Sequence, residues 1–388
     1  MKRDKLNTFS NSAIKVPFFY PSIDQKDKEV VSKALKLSLL TDGPILKKFE
    51  ERFANFTKSR YAIGVSNATA ALHLSLKALG IGKGDEVIIP DMTFVATANS
   101  VLLSGAKPVL TDINNDRNIS IASIKKNITA KTKAILPVHF AGKSAEISEI
   151  KKIARANDLL IIEDCAHAIG TKSKGKHVGT FGEVGCFSFY PTKNITTVEG
   201  GMIITNSKEI AQKIVSLRNH GITRTLQQRY SHGKPWDYDV VEPGYNYRLD
   251  EIRSALGINQ LKRVQKLNTA RKIAAQYYNE KLKNVKGIEI PPHAEDNESV
   301  YHLYIIEITK EGKITRDRLF QKMLNEGIIS SVHYKPLHKF TAYQRIKKNN
   351  ELINSKNMYE KILSLPLFPD ITRKEQDIVI NCIIDAFD

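Results

Sequence analysis

Short apolar runs alternate with stretches of helical periodicity through the first two-thirds of the chain, and this alternation limits the fold more than any other feature. Tyr61–Val65, Glu86–Pro90, Lys107–Asp112, Ala134–His139, Leu159–Asp164, Val184–Tyr190 and Met202–Thr205 read as buried strands. Helices are expected at Asp24–Leu39, Ala70–Leu79, Ile121–Ile128, near Lys151–Asn157 and at Lys208–Leu217. Strands that alternate with helices predict an α/β fold, with a mostly parallel sheet covered on both faces by helices. A long helical region from Glu251 to about Leu282, with a possible break near Asn268, carries the chain into a second unit. There a strand at Tyr301–Ile308, helices at Arg316–Glu326 and Lys374–Phe387 and a short strand at Leu363–Phe368 suggest a smaller α+β domain.

At 388 residues the chain suits one large and one small domain. The expected division is a loose N-terminus at 1–15, a large domain at 16–255 and a small C-terminal domain at 256–388. With 41% hydrophobic residues it can bury a full core. No apolar run reaches the ~18 residues of a membrane span, and Met1–Asn7 lacks the apolar core of a signal peptide. Cys165, Cys186 and Cys382 make no metal-type spacing, so no metal is expected, and free buried cysteines fit a cytoplasmic location. The net charge of +18 is spread along the chain without a basic block, which argues against nucleic acid or membrane as a partner. It would still favour capture of an anionic small substrate.

Chemistry concentrates in two places. Leu159–Ile162 is an apolar strand, and Asp164 stands at its carboxyl end, where ligands of open α/β sheets bind. Further on, the strand at Val184–Tyr190 breaks at Pro191 and delivers Lys193 to a loop. A lysine on a loop behind a core strand can shed its proton and attack an aldehyde, holding it as a Schiff base. Alone, Lys193 reads as one more surface lysine in a lysine-rich chain, and a strand-end aspartate is common. Paired with a strand-end acid that can face a protonated ring nitrogen, the lysine matches what a protein supplies to pyridoxal phosphate (PLP). Ser66–Thr69 forms a strand-to-helix turn of small residues, whose amides could meet a phosphate or simply cap the helix.

The runs Glu163-Asp-Cys-Ala-His167 and Phe187-Ser-Phe-Tyr-Pro-Thr-Lys-Asn-Ile-Thr-Thr-Val-Glu-Gly-Gly201 resemble the nucleotide-sugar aminotransferases of the DegT/StrS type, PLP enzymes of aminotransferase fold type I. The likeness runs from about Val16 to the C-terminus. It implies that Lys193 and Asp164 are catalytic, with Lys193 bound to PLP and Asp164 on the ring nitrogen. It implies cofactor contacts from Phe94, stacked on the ring, from His167 near O3′, from Ser188, Ala68 and Thr69 at the phosphate, and from Asn246, which would reach the phosphate in the neighbouring subunit of a homodimer. The family more often has glycine where Ala68 stands. Substrate contacts are implied for Phe18, Leu40, Thr41, Asn67, Arg248, His333, Tyr334, Lys335 and His338. His220 and Arg224 are further candidates for phosphates, on a polar stretch that reads as a lid or subunit contact.

The resemblance also implies the reaction. L-glutamate would displace Lys193, whose freed amine would serve as general base and acid. Release of 2-oxoglutarate would leave pyridoxamine phosphate, which aminates a nucleotide-linked keto sugar. Asn219–Arg224, Trp236–Asp239 and Gly244–Arg248 look most like members acting at C4 of UDP-4-keto-6-deoxy-N-acetylhexosamines for surface glycans. Amination of a 3-keto or GDP-4-keto sugar, and a non-catalytic binding or regulatory protein, are the alternatives.

Overall fold

The computed structural model describes residues 14–223, 236–291, 298–346 and 351–388. Its larger sheet is built from β1 (Tyr61–Val65), β2 (Glu86–Pro90), β3 (Lys107–Thr111), β4 (Thr132–Ile135), β5 (Leu160–Asp164), β8 (Val184–Ser188) and β9 (Gly201–Thr205). A small hairpin of β6 (Lys172–Ser173) and β7 (Lys176–His177) lies between β5 and β8 in the chain. The strand order is β1-β9-β8-β5-β4-β2-β3. Neighbours from β8 to β3 are parallel, and β9 runs antiparallel to both β8 and β1. The expected mostly parallel sheet is present. Its strands read as continuous apolar runs because both faces are covered.

Helices α1 (Gln25–Ala34), α2 (Pro44–Thr57), α3 (Ala68–Ala78), α4 (Val95–Ser104), α5 (Ile121–Asn127), α6 (Ile147–Ala156) and α7 (Lys208–Leu217) connect or cover these strands. Phe49 and Phe53 of α2 are fully buried against Phe187 and Phe189 of the β8 segment. Each such ring contributes about 1.5–3 kcal/mol by leaving water. Helix α1 stops at Ala34, short of the expected Leu39, and Leu35, Leu37, Leu39 and Leu40 are exposed. What anchors α1 is polar: buried Asp27 accepts from Asn259 and Gln260 and pairs with Arg263 at 2.5 Å.

Helix α8 (Glu251–Leu282) runs unbroken for 32 residues, without the break expected at Asn268. That side chain is consumed in hydrogen bonds to Asn194 and to the Ile169 carbonyl, so the helix ladder need not open for it. The Glu251 carboxylate accepts the amides of Gly43, Ile45 and Leu46 and so caps α2. Early α8 residues Leu261, Val264 and Leu267 join the core under β8 and β9. Later ones, Ala274, Ala275, Tyr278 and Leu282, join a second core. That core is built on an antiparallel sheet of β10 (Ile288–Glu289), β11 (Tyr304–Ile308) and β12 (Ile362–Leu365), with α9 (Arg316–Asn325), α10 (Ile353–Lys361) and α11 (Arg373–Phe387) nearby. Val16 is fully buried in this second core and bridges Ile328, so the described N-terminal segment packs with the smaller unit.

Candidate active site

Asp164 ends β5 and is buried. One carboxylate oxygen accepts the Ala166 amide at 3.1 Å and the other the Thr97 hydroxyl at 3.0 Å. Each oxygen retains a lone pair. Burial raises its pKa, opposed by those two hydrogen bonds and by Lys193. Lys193, half-buried on the loop after β8, is lowered to about 8, chiefly by burial; Asp164 opposes this and Arg271 adds to it. About a tenth of such a lysine is free amine at pH 7, against well under about a thousandth at the ordinary value.

Lys193 lines one cavity with Thr192, His302, His333, Tyr334 and Phe18. His167 lies behind it. Its Nε2 is 3.0 Å from the Tyr334 hydroxyl, and its ring sits 4.3 Å from that of His302 and 5.9 Å from that of Tyr334. Burial, then Lys193 and His333, hold His167 well below the usual range for imidazole. His333 is lowered to about 3 by burial and Lys193; it stacks on Phe18 and meets the Ser364 hydroxyl at 2.8 Å. Phe94 precedes α4, is 55% exposed, and has its ring 5.9 Å from Tyr334.

The phosphate candidates come together across the sheet. Ser188 pairs with Gly201 in the β8–β9 register. A Cβ on Gly201 would lie 2.6 Å from the Asn67 carbonyl and 2.9 Å from the Ala68 amide. Only glycine lets the start of α3 approach this closely. Asn67 caps α3 by accepting the Ala70 amide at 2.8 Å, and among the described residues no acceptor takes the Ala68 or Thr69 amides. Ala68 is the first helical residue and has no positive φ, so a glycine there is not required. The segment 246–248 runs beside this turn, with the Tyr247 carbonyl on the Ser66 amide and Arg248 bridged to Val65.

These features fit PLP: a lysine amine and a buried carboxylate face one region, and a glycine-made gap leaves helix amides free near a serine. Other expected residues do not line the Lys193 cavity. Leu40 and Thr41 are exposed, with Thr41 bridged to Asp250. Lys335 is exposed over the Phe340 ring at 4.6 Å. Asn246 is exposed, and Arg248 bonds the Asn219 amide oxygen and lies 3.8 Å from Asp42. His338 is held at 2.7 Å by Asp91. His220 bonds the Tyr245 carbonyl through its amide, and Arg224 lies outside the described residues.

Sequence reasoning missed Thr97, His302, Asn194 and Asp91, which act on the site through contacts distant in the chain. It also missed Glu163, next to Asp164. This buried carboxylate accepts the amides of Gly179, Phe181 and Gly182 and pairs with His139 at 3.0 Å. Cys165 lies close to that pair, but Glu163 is already saturated, and burial raises the thiol pKa.

A family model described as the DegT/DnrJ/EryC1/StrS aminotransferase family matches residues 21–384. The chain is 37% identical over 375 residues to the spore coat polysaccharide biosynthesis protein SpsC of Bacillus subtilis, covering 95% of this chain and 96% of SpsC. Among solved structures it is similar to Helicobacter pylori PseC, an aminotransferase involved in the biosynthesis of pseudoaminic acid, with TM-score 0.89, 32% identity and coverage of 96% and 99%. It is also similar to the putative sugar aminotransferase Spr1654 of Streptococcus pneumoniae in its pyridoxamine phosphate form, with TM-score 0.90, 30% identity and coverage of 96% and 98%.

Proposed function

The chain belongs to the DegT/DnrJ/EryC1/StrS aminotransferase family, and from that premise we propose that it transfers the amino group of L-glutamate to C4 of a UDP-linked 4-keto-6-deoxy-N-acetylhexosamine. It is a PLP-dependent sugar aminotransferase of fold type I. The keto position and nucleotide are the reading of Asn219–Arg224 and Gly244–Arg248, supported by the similarity to PseC. The 3-keto and GDP-4-keto sugars are the competing acceptors.

The observation that carries the site assignment is the pairing of Lys193, lowered to about 8, with buried Asp164. When bound, PLP supplies an aldehyde carbon and an electron-accepting ring. Asp164 would keep a ring nitrogen protonated through its unused lone pairs. Ser188, Ala68 and Thr69 would hold the phosphate, and His167 and Phe94 would flank the ring. Lys193, once free, would move the proton at the reacting carbon, because a neutral amine accepts a proton and its ammonium returns it. Phe18, Asn67, His333, Tyr334 and His338 would meet the sugar nucleotide. Leu40, Thr41, Lys335, Asn246 and Arg248 are proposed to act across a homodimer interface. This fits their exposure or surface position and the exposed Leu35, Leu37 and Leu39. The larger unit, 16–255, would carry the cofactor, and 256–388 would cover the substrate; a core built, Val16 apart, from residues after 273 supports that division, although Leu337, Tyr343 and Leu352 pack into a core of the larger unit. Among the described residues no helix is long and apolar enough to cross a membrane, and we propose a cytoplasmic setting.

The deciding experiment is borohydride reduction of the purified protein, peptide mapping, and turnover of candidate keto sugars with L-glutamate. Cofactor attached at Lys193, and formation of a 4-amino sugar, are expected. Attachment at another lysine would overturn the site assignment, and turnover of only 3-keto or GDP-linked sugars would overturn the substrate assignment.

A further inference from the structure

His302 belongs to no motif, yet it lines the cavity with Lys193 and its ring lies 4.3 Å from that of His167, tilted by 39°. Its Nδ1 lies 3.2 Å from Oδ1 of Asn194, the residue after Lys193. Which of these atoms carries the proton follows from backbone carbonyls, which only accept. Asn268 Nδ2 donates to the Ile169 carbonyl at 3.0 Å, and this turns its Oδ1 toward Asn194. Asn194 Nδ2 donates to that Oδ1 at 2.7 Å and to the Val300 carbonyl at 3.1 Å. Asn194 Oδ1 therefore faces His302 as an acceptor, and the neutral His302 carries its proton on Nδ1. Its Nε2 is left as a lone pair that no described residue bonds, on a ring that lines the cavity.

We propose that His302 is a positioning residue for Lys193: its Nε2, on the cavity the two residues share, accepts a hydrogen bond from Nζ when the free amine turns toward it, and holds the amine in the cavity for proton transfer. Asn268 and Asn194 set the tautomer that makes this possible. The surroundings keep the imidazole in the form required, since burial, His167, Lys193, Arg271 and His333 all disfavour its protonation. Arg271 fixes the backbone here by donating to the His302 and Leu367 carbonyls at 3.3 and 3.0 Å. The proposal rests on Lys193 being the cofactor-bearing lysine.

Two substitutions separate the functions of the two ring nitrogens. His302→Asn keeps a donor for Asn194 but removes the Nε2 acceptor, whereas His302→Gln places an acceptor near the Nε2 position and gives up the Asn194 bond. In the cofactor-free full chain, the pH dependence of Lys193 labelling, read by mass spectrometry, should fall by about one pH unit in His302→Asn and return toward the parent value in His302→Gln. In the loaded enzyme, kcat should fall about tenfold in His302→Asn with KM little changed. A His302→Asn enzyme with unaltered Lys193 titration and kcat, or a proton found on Nε2 by 15N NMR of labelled histidine, would overturn the proposal. Borohydride mapping of the same samples keeps the outcomes distinct: cofactor found on a lysine other than Lys193 means that the underlying site assignment has failed instead.

Discussion

The Thr97 hydroxyl donates to the Asp164 carboxylate across 3.0 Å, joining α4 to the end of β5. Thr97 in turn lies 3.0 Å from the Thr93 hydroxyl, so the acid is oriented by a relay rather than by one contact. Thr97→Val keeps the shape and removes the donor. Loss of a hydrogen bond to a charged group costs about 1.5–3 kcal/mol. The expected result is a fall in kcat of at least about tenfold with the cofactor still bound. Steady-state kinetics beside the visible spectrum would check this; wild-type kcat would show that Asp164 needs no such support.

Lys193 sets a pH dependence whose sign can be worked out. Its folded pKa is about 8 against the ordinary 10.5. Between these values unfolding takes up a proton, so this group's contribution to stability rises with pH across that window. Over the same approach the reactive free amine accumulates, reaching half near pH 8. The rate of cofactor uptake by cofactor-free protein should increase from pH 7 to 9 with a midpoint near 8. A midpoint near 10 would mean that the lysine is not desolvated.

Gly201 makes room for the start of α3. Gly201→Ala places a Cβ 2.6 Å from the Asn67 backbone, and that contact must open. The helix amides then shift from their position opposite Ser188. The expected loss is at least about tenfold in affinity for PLP, measured by equilibrium titration, with a native circular dichroism spectrum. Unchanged affinity would remove the α3 turn from the phosphate site.

Gly257 of α8 faces the ring of Phe49, where a Cβ would approach to 2.5 Å. Gly257→Val overpacks the contact between α2 and α8, at a cost of about 1–3 kcal/mol. Chemical denaturation should show a lower midpoint with unchanged slope. An equal midpoint would mean that the two helices can separate freely.

The strands around Asp164 and Lys193 were legible because a buried parallel strand announces itself as a short apolar run, and its carboxyl end marks where ligands bind. The helix boundary at Ala34 was not, because of the apolar face expected over Val30, Val31, Ala34 and Leu35 only Ala34 is fully buried, and buried Asp27 supplies the rest of the anchor. The break expected at Asn268 failed for a similar reason: a polar side chain inside a helix carries no sign of the loop that will satisfy it.

By itself the sequence determined the alternation of elements, the pair of residues able to serve a PLP ring, and the family likeness, all of which depend on spacing along the chain. The tertiary structure decided which groups tune that pair. Thr97 reaches Asp164 across 67 positions, His302 reaches Asn194 across 108 and Asp91 reaches His338 across 247. Contacts of that separation exist only once packing has brought the segments together, and hydrogen bonding then selects a tautomer or orientation that no local pattern encodes.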